Sequence, residues 1–364
     1  MSPASSYEPF YRRLTDGPFR YLLWPLGQVW GLAAAVRRWV YSSDGPLEPK
    51  RLPVPVVSVG NISMGGTGKS SFVVYLVRLL QMTGLNVAVL SRGYGRTSSG
   101  TVVVSKPDEG VLVPPEKSGD EPAMLARALP DACVVVGSDR YSAGLVATEE
   151  LGAEVVVLDD GFQHINLARD LDVVLVDTSR PPDWPFPAGL AREGVDALYY
   201  ADAVCYSKTN LGKYMDVWQG IVDRYARKAI KVMAGHYPTA VRELGDDRPL
   251  SLAEVKGRRV LAMAGVGDFA GFISSLEDVG AVVAVRRPFP DHHIYAKSEL
   301  GAVERAAFAA DCIGIVTTAK DEARISKWKS RIPVYVLDVK TEVTAGEPEL
   351  EGALLKALGG TLHS

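Results

Sequence analysis

Eight consecutive residues, Ser63-Met64-Gly65-Gly66-Thr67-Gly68-Lys69-Ser70, combine glycines, hydroxyls and one lysine. Glycines let main-chain N–H groups close on an anion. Lys69 is spaced to reach the outer phosphates of a nucleoside triphosphate, and the Ser70 hydroxyl suits Mg²⁺. The usual pattern G-x-x-x-x-G-K-[ST] begins with glycine, where this chain has Ser63. A turn followed by a surface lysine would leave the density of glycines unexplained. ATP and Mg²⁺ are therefore the expected ligands.

Other reactive side chains follow apolar runs. After residues 155–158 comes Asp159-Asp160-Gly161-Phe162-Gln163-His164. Adjacent carboxylates repel unless a cation or hydrogen-bond donors compensate them, so a metal-related role is expected for at least one. A strand-end aspartate capping a turn would account for the other. His164 could touch nucleotide or substrate, or be a local structural residue. After residues 87–90, Arg92 lies among glycines where a guanidinium could meet phosphate. Asp120, in Gly119-Asp120-Glu121-Pro122, could cap a helix or take a proton from a substrate hydroxyl. Asp291-His292-His293 is a further polar cluster, and a histidine there facing Asp120 could orient its carboxylate. Zinc is the competing idea, but the five histidines and three cysteines form no compact ligand pattern.

These residues need a scaffold that gathers loops. Apolar β-branched runs at 54–59, 87–90, 133–136, 155–158 and 173–176 alternate with helical or loop segments, the helix at 71–82 directly following the glycine loop. That alternation predicts a doubly wound α/β sheet with chemistry at the strand carboxyl ends. A second series at 203–206, 260–263, 282–285, 313–316 and 334–337 predicts another α/β unit. Between them, residues 181–194 hold four prolines and suggest an ordered crossing loop or hinge. The expected division is an N-terminal segment 1–45, a nucleotide-binding domain 46–200, a second domain 201–345 and a C-terminal helix or tail 346–364.

The N-terminal segment carries Arg12, Arg13, Arg20, Arg37 and Arg38 around Trp24, Trp30 and Trp39. Sixteen uncharged residues separate Arg20 from Arg37, interrupted by Pro25 and Gly27. A perpendicular span needs about 20 apolar residues. The pattern suits an amphipathic helix lying in a membrane interface; packing on the protein's own core or on a second copy is the alternative. A formal charge of −3 argues against a nucleic-acid binder, which normally shows a basic surplus. Cys133, Cys205 and Cys312 sit in apolar runs and read as buried thiols in a reducing compartment.

GNISMGGTGKS, SRGYGR, GDEP, DDGFQH, PAGLARE, AGVGDF, FPDHH and TTAKD occur in that order from Gly60 to Asp321. Together they resemble the tetraacyldisaccharide 4′-kinase family. The resemblance implies a P-loop NTPase-like α/β/α domain, a second smaller α/β/α domain and an N-terminal membrane-associated helix. It implies transfer of the ATP γ-phosphate to the 4′-hydroxyl of an acylated glucosamine disaccharide 1-phosphate, by a monomer at the cytoplasmic face of the bacterial inner membrane. It assigns a catalytic dyad to Asp120 and His292, phosphate and Mg²⁺ contacts to Lys69 and Ser70, and the acidic metal site to Asp159 and Asp160. Arg92, Gln163, His164, Arg192 and His293 become substrate or phosphate contacts. The chain departs from the family in having Ser70-Ser71 where threonine and proline are common, PAGLARE for PAGPLRE, and Ala319 where glutamate is usual. A soluble P-loop kinase or ATPase acting on a small molecule, and an ATP-binding switch without catalysis, are the rival expectations.

Overall fold

The structure, a computed structural model, describes residues 17–41, 45–246, 248–291 and 293–359. The chain divides into two compact units. Among the described residues, the larger comprises those from Gly17 to Gly235 and from Thr341 onward; the smaller comprises His236–Lys340.

The larger unit contains β1 (Val56–Asn61), β2 (Val87–Ser91), β3 (Val102–Lys106), β4 (Gly110–Val111), β5 (Cys133–Val136), β6 (Val155–Asp159), β7 (Leu171–Asp177) and β8 (Ala203–Ser207). Their order is β8-β7-β1-β6-β2-β5-β3-β4. From β8 to β5 neighbours are parallel, while β3 and β4 form an antiparallel edge. Every residue of β1, β2, β5, β6, β7 and β8 is buried, because helices cover both sheet faces. On one face, Phe72, Leu76 and Leu80 of α2 (Lys69–Gln81) pack on Val57, Val59, Val89 and Val134. Truncating Leu76 to Ala would cost about 2–5 kcal/mol. On the other face, Leu90, Val135 and Leu158 meet Ala143 and Ala147.

Strands β1 and β7 are neighbours whose onward connections run in opposite directions, β1 towards β2 and β7 towards β8. Such a switch point opens a crevice at the strand carboxyl ends. There the sheet delivers the glycine loop from β1 and the paired aspartates from β6.

Two boundaries differ from the sequence expectation. The change of unit falls at 235/236, not 200/201, because β8 pairs with β7 and the helix Met215–Tyr225 buries Trp218 and Val222 beside it. The C-terminal segment is integral to the larger unit: the helix Glu347–Ala357 puts Leu350 and Leu354 into the core shared with α2.

Helix α1 (Phe19–Val40) runs unbroken through Pro25, which removes only the ladder bond to the Tyr21 carbonyl. Its covered positions Arg20, Leu23, Gly27, Gly31, Ala34 and Arg38 form one stripe at three- and four-residue spacing, and only the terminal Val40 is covered off it. A Cβ at Gly27 would lie 2.8 Å from the Pro185 carbonyl oxygen, so glycine permits this approach. The rest of the helix is open, with Tyr21, Leu22, Trp24, Leu26, Val29, Leu32 and Val36 all exposed. Among the described residues, no helix is long and apolar enough to cross a membrane.

The chain passes from the larger unit to the smaller within β9 (Ile230–Glu243) and back within β13 (Val334–Ala345). In the smaller unit, β10 (Arg259–Ala264), β11 (Val282–Pro288), β12 (Gly314–Thr318) and the first part of β13 run parallel in the order β11-β10-β12-β13. Val260, Ala262, Phe272 and Leu276 pack on one face, and Leu261, Met263, Val303 and Ile315 on the other.

Candidate active site

The glycine loop is braced from three sides. Asn61 Nδ2 donates to Thr67 Oγ1 at 2.9 Å, and Ser207 Oγ donates to the Thr67 carbonyl at 2.8 Å. Met64 N–H donates to the Leu190 carbonyl at 2.7 Å, beside a bridge between Ser63 and Ala191. Gly68, at φ +87°, takes the left-handed conformation that turns the chain into α2. That helix has no side-chain cap, so its first N–H groups remain available to an anion. A Cβ on Gly66 would meet nothing within 4 Å, leaving open space above the loop.

Strand β6 brings the acidic pair alongside, in register with β1 (Val59 opposite Asp159). Asp159 is buried and accepts one hydrogen bond among the described residues, from Ser91 Oγ at 3.0 Å. Burial, reinforced by the charges of Glu121 and Asp160, pushes its carboxyl up to about 7. Asp160 sits at φ +56°, a left-handed conformation that costs roughly 1 kcal/mol outside glycine. Burial would raise this carboxyl too, but the charges of Lys69 and Arg192 and their hydrogen bonds hold it well below the carboxylate range. Arg192 reaches both Asp160 oxygens at 2.7 Å and Lys69 Nζ lies 3.3 Å away, while a third of the Asp160 side chain remains open.

This donor set fits a hard divalent cation. Ser70, Asp159 and Asp160 offer oxygen only, and Asp159 is a buried acid short of positive partners. No group of three or more His, Cys, Asp or Glu side chains suited to a metal occurs among the described residues. Phosphate oxygens and water would complete a Mg²⁺ shell, the usual arrangement for that ion.

Asp120 is the first residue of α3 (Asp120–Ala128), after Gly119 at φ +93°. Added Cβ atoms at Gly93 and Gly119 would come within 2.7 Å of the Ser118 carbonyl oxygen and 3.0 Å of the Tyr94 carbonyl oxygen respectively. The Arg92 loop therefore packs directly on the turn that presents Asp120.

Comparison with known proteins bears on the same elements. The family model for tetraacyldisaccharide-1-P 4′-kinase matches residues 19–359. The chain belongs to this family. It is 37% identical to the tetraacyldisaccharide 4′-kinase of Geobacter sulfurreducens, over 91% of each chain. It is 38% identical to that of Anaeromyxobacter dehalogenans, over 94% of this chain and 88% of the relative. A crystal structure of LpxK from Aquifex aeolicus in complex with ATP superposes with a TM-score of 0.74 at 32% identity, covering 93% of this chain and 99% of the other.

Of the residues singled out from sequence, the larger unit gathers the 63–70 loop, Asp159, Asp160, Gln163 and Arg192 at adjoining strand ends. Gln163 bonds the Asn61 carbonyl and accepts from Arg192. Arg92 is exposed on its loop. His164 is half-buried and neutral: burial, then the Arg140 and Arg37 charges, lower it to about 4. No described residue bonds its Nε2. In the smaller unit His293 is engaged locally, with Nε2 2.9 Å from Glu299 and its ring between Phe289 and Tyr295. His292 lies outside the described residues.

Three contributors went unnoticed in the sequence. Ser91 holds Asp159. Ser207, ending β8, holds the glycine loop. Arg140 is buried near Asp159, bonds the Gly137 carbonyl at 2.8 Å and is lowered to about 10, chiefly by burial. All three end or follow apolar runs, the position where a parallel sheet concentrates ligands; applying that rule to every run would have found them.

Proposed function

We propose that the chain transfers the γ-phosphate of ATP to the 4′-hydroxyl of a tetraacylated glucosamine disaccharide 1-phosphate. The observation carrying this reading is the buried, under-compensated Asp159 beside an open glycine loop with Lys69 and Asp160 at its mouth. Loop N–H groups and Lys69 hold the outer phosphates, Lys69 exchanging Asp160 for phosphate oxygen. Ser70, Asp159 and Asp160 hold Mg²⁺, which when bound neutralises charge on the transferring group. Asp120 accepts the proton of the sugar hydroxyl as its oxygen bonds to the γ-phosphorus and the bond from phosphorus to the β,γ-bridging oxygen breaks, releasing ADP. His292 is the proposed partner that orients Asp120. Arg92 and His164 line the phosphate side, and Arg192 keeps Asp160 ionised.

The open face of α1 supports a monotopic position at the cytoplasmic face of the inner membrane. From Tyr21 to Val36 it carries no charge, with Trp24, Trp30 and Trp39 exposed along it. Contiguous apolar surface of this kind marks an interaction site, and indoles favour the headgroup level. An acylated substrate is met at that surface by a monomer.

The test is to incubate purified protein with Mg-ATP and the acyl disaccharide 1-phosphate and determine the lipid product by mass spectrometry. A gain of one phosphoryl group is expected. Asp120→Ala should lower kcat about 100-fold or more while ATP affinity changes little. Phosphorylation confined to a water-soluble acceptor, or nucleotide binding without phosphorylated product, overturns the reading.

A further inference from the structure

Helix α1 reaches the phosphate site through two side chains. Arg38 is one of its few buried residues, although it closes the helix that bears the exposed apolar face. Its guanidinium forms a two-pronged pair with Glu193, with Nη2 2.8 Å from Oε1 and Nε on Oε2. It also donates to the Phe162 carbonyl at 3.2 Å and lies 4.0 Å over the Phe162 ring. Phe162 stands two residues beyond Asp160, and Gly60 of β1 is packed so closely on it that a Cβ would come within 2.4 Å. About two turns earlier, Trp30 Nε1 donates to the Arg192 carbonyl at 3.0 Å, while its ring meets Phe186 edge-on.

The residues on the far side of those contacts are the phosphate-site residues. Arg192 N–H donates to the Ile62 carbonyl at 2.7 Å, where β1 enters the glycine loop, and its guanidinium grips Asp160. Each connection is a packed or hydrogen-bonded contact within the larger unit.

We propose that Arg38, assisted by Trp30, is a positioning residue for phosphoryl transfer: it locks residues 184–194 and the turn after Asp160 onto α1, so that the seat of the interfacial helix sets the geometry of Arg192 and Asp160. The helix is then part of the site as well as its contact with lipid. A paired guanidinium suits this task, because its planar fork fixes direction as well as distance. The proposal rests on Asp160 facing the cation.

The experiment uses full-length protein in detergent micelles with Mg-ATP and the acyl disaccharide 1-phosphate. Arg38→Met keeps length and packing but removes the fork. It should lower kcat about tenfold or more, and raise the Mg²⁺ concentration for half-maximal rate several-fold, with KM for ATP within about threefold. Co-sedimentation with anionic phospholipid vesicles should stay as in wild type, since Arg38 is buried. Arg38→Lys should recover part of kcat. Trp30→Phe keeps a ring, drops the N–H and should reproduce the Mg²⁺ shift on a smaller scale, so the test survives poor folding of Arg38→Met. Unchanged kcat and Mg²⁺ dependence in both variants overturn the proposal. So does a fall in rate that tracks lost vesicle binding and is restored by excess lipid, which would make α1 an anchor alone. Asp160→Asn separates the premise: Mg²⁺ dependence like wild type there would sink the reading of Asp160 and not the contacts of Arg38.

Discussion

Asp159 in the larger unit and Asp321 in the smaller are both buried carboxylates, one ending a parallel strand and the other in the first turn of the helix that follows one, yet their surroundings are opposite. Asp321 has no exposed surface and accepts from Gly265 N–H, Tyr295 Oη (2.8 Å) and Thr318 Oγ1 (2.8 Å), with Arg324 at 3.4 Å. It ties together the loops that follow β10, β11 and β12. Asp159 accepts from Ser91 alone among the described residues and faces two other acids. A carboxylate with its lone pairs filled holds structure, and one short of donors awaits a cation. Similar positions in similar sheets thus divide into scaffold and site by donor supply.

The largest contrast should come from making each aspartate neutral. Asp159→Asn should lower kcat about 100-fold or more, because metal-side charge stabilisation is worth several kcal/mol. Its folding stability should hold or rise, since a costly buried charge is removed. Asp321→Asn should do the reverse, costing about 2–3 kcal/mol in urea unfolding as donors lose their charged acceptor. Equal losses of stability in both variants would break the distinction.

The distinction has a second, pH-dependent signature. Asp159 rises from 3.8 to about 7 on folding, so the folded state binds the extra proton between those values. Its stabilising contribution is complete below about pH 4, falls as pH rises towards 7 and is flat above. The full excursion is on the order of 4 kcal/mol as an upper bound. Asp160, held low by Lys69 and Arg192, has the opposite sign: its contribution is present above the ordinary carboxylate range and lost in acid. Urea unfolding of wild type and Asp159→Asn, without nucleotide or divalent cation, should therefore diverge between pH 5 and 7. Parallel curves would remove Asp159 as the titrating group.

Much of this site is local in sequence, which is why it was legible. The glycine loop, the Asp159-Asp160 pair and the Gly119-Asp120 turn are each contiguous; alternating apolar runs placed the first two at strand ends, and the third precedes an apolar helix face. What escaped was long-range pairing. Arg38 and Glu193 lie 155 residues apart. Arg38 beside Arg37 reads as one more cation for lipid headgroups, and only helical phase separates them: the stripe Gly27, Gly31, Ala34 ends on Arg38 and leaves Arg37 outside. The adjacent histidines were equally opaque, since sequence cannot show that the ring of His293 is held by Glu299. The unit boundary was missed because a proline-rich crossing looks like a linker, whereas sheet membership is decided by pairing, and β8 pairs with β7.

The smallest effects give the finest test, because each removes one hydroxyl from one carboxylate. Tyr295 is pushed up by burial and by the charge of Asp321, so it stays a protonated donor. Tyr295→Phe removes one of several donors and should cost about 1 kcal/mol of stability. The Mg²⁺ dependence of the rate should not move. Ser91→Ala removes the hydrogen bond that lowers Asp159, so that carboxyl moves further up. The acidic limb of the kcat/KM profile should then shift to higher pH by less than about one unit, with stability changed by less than about 1 kcal/mol. If Ser91→Ala instead left the profile in place and destabilised the fold as much as Tyr295→Phe, Ser91 would be scaffold. Asp159 would then not be the group that sets the acidic limb, and donor supply would no longer separate the two carboxylates.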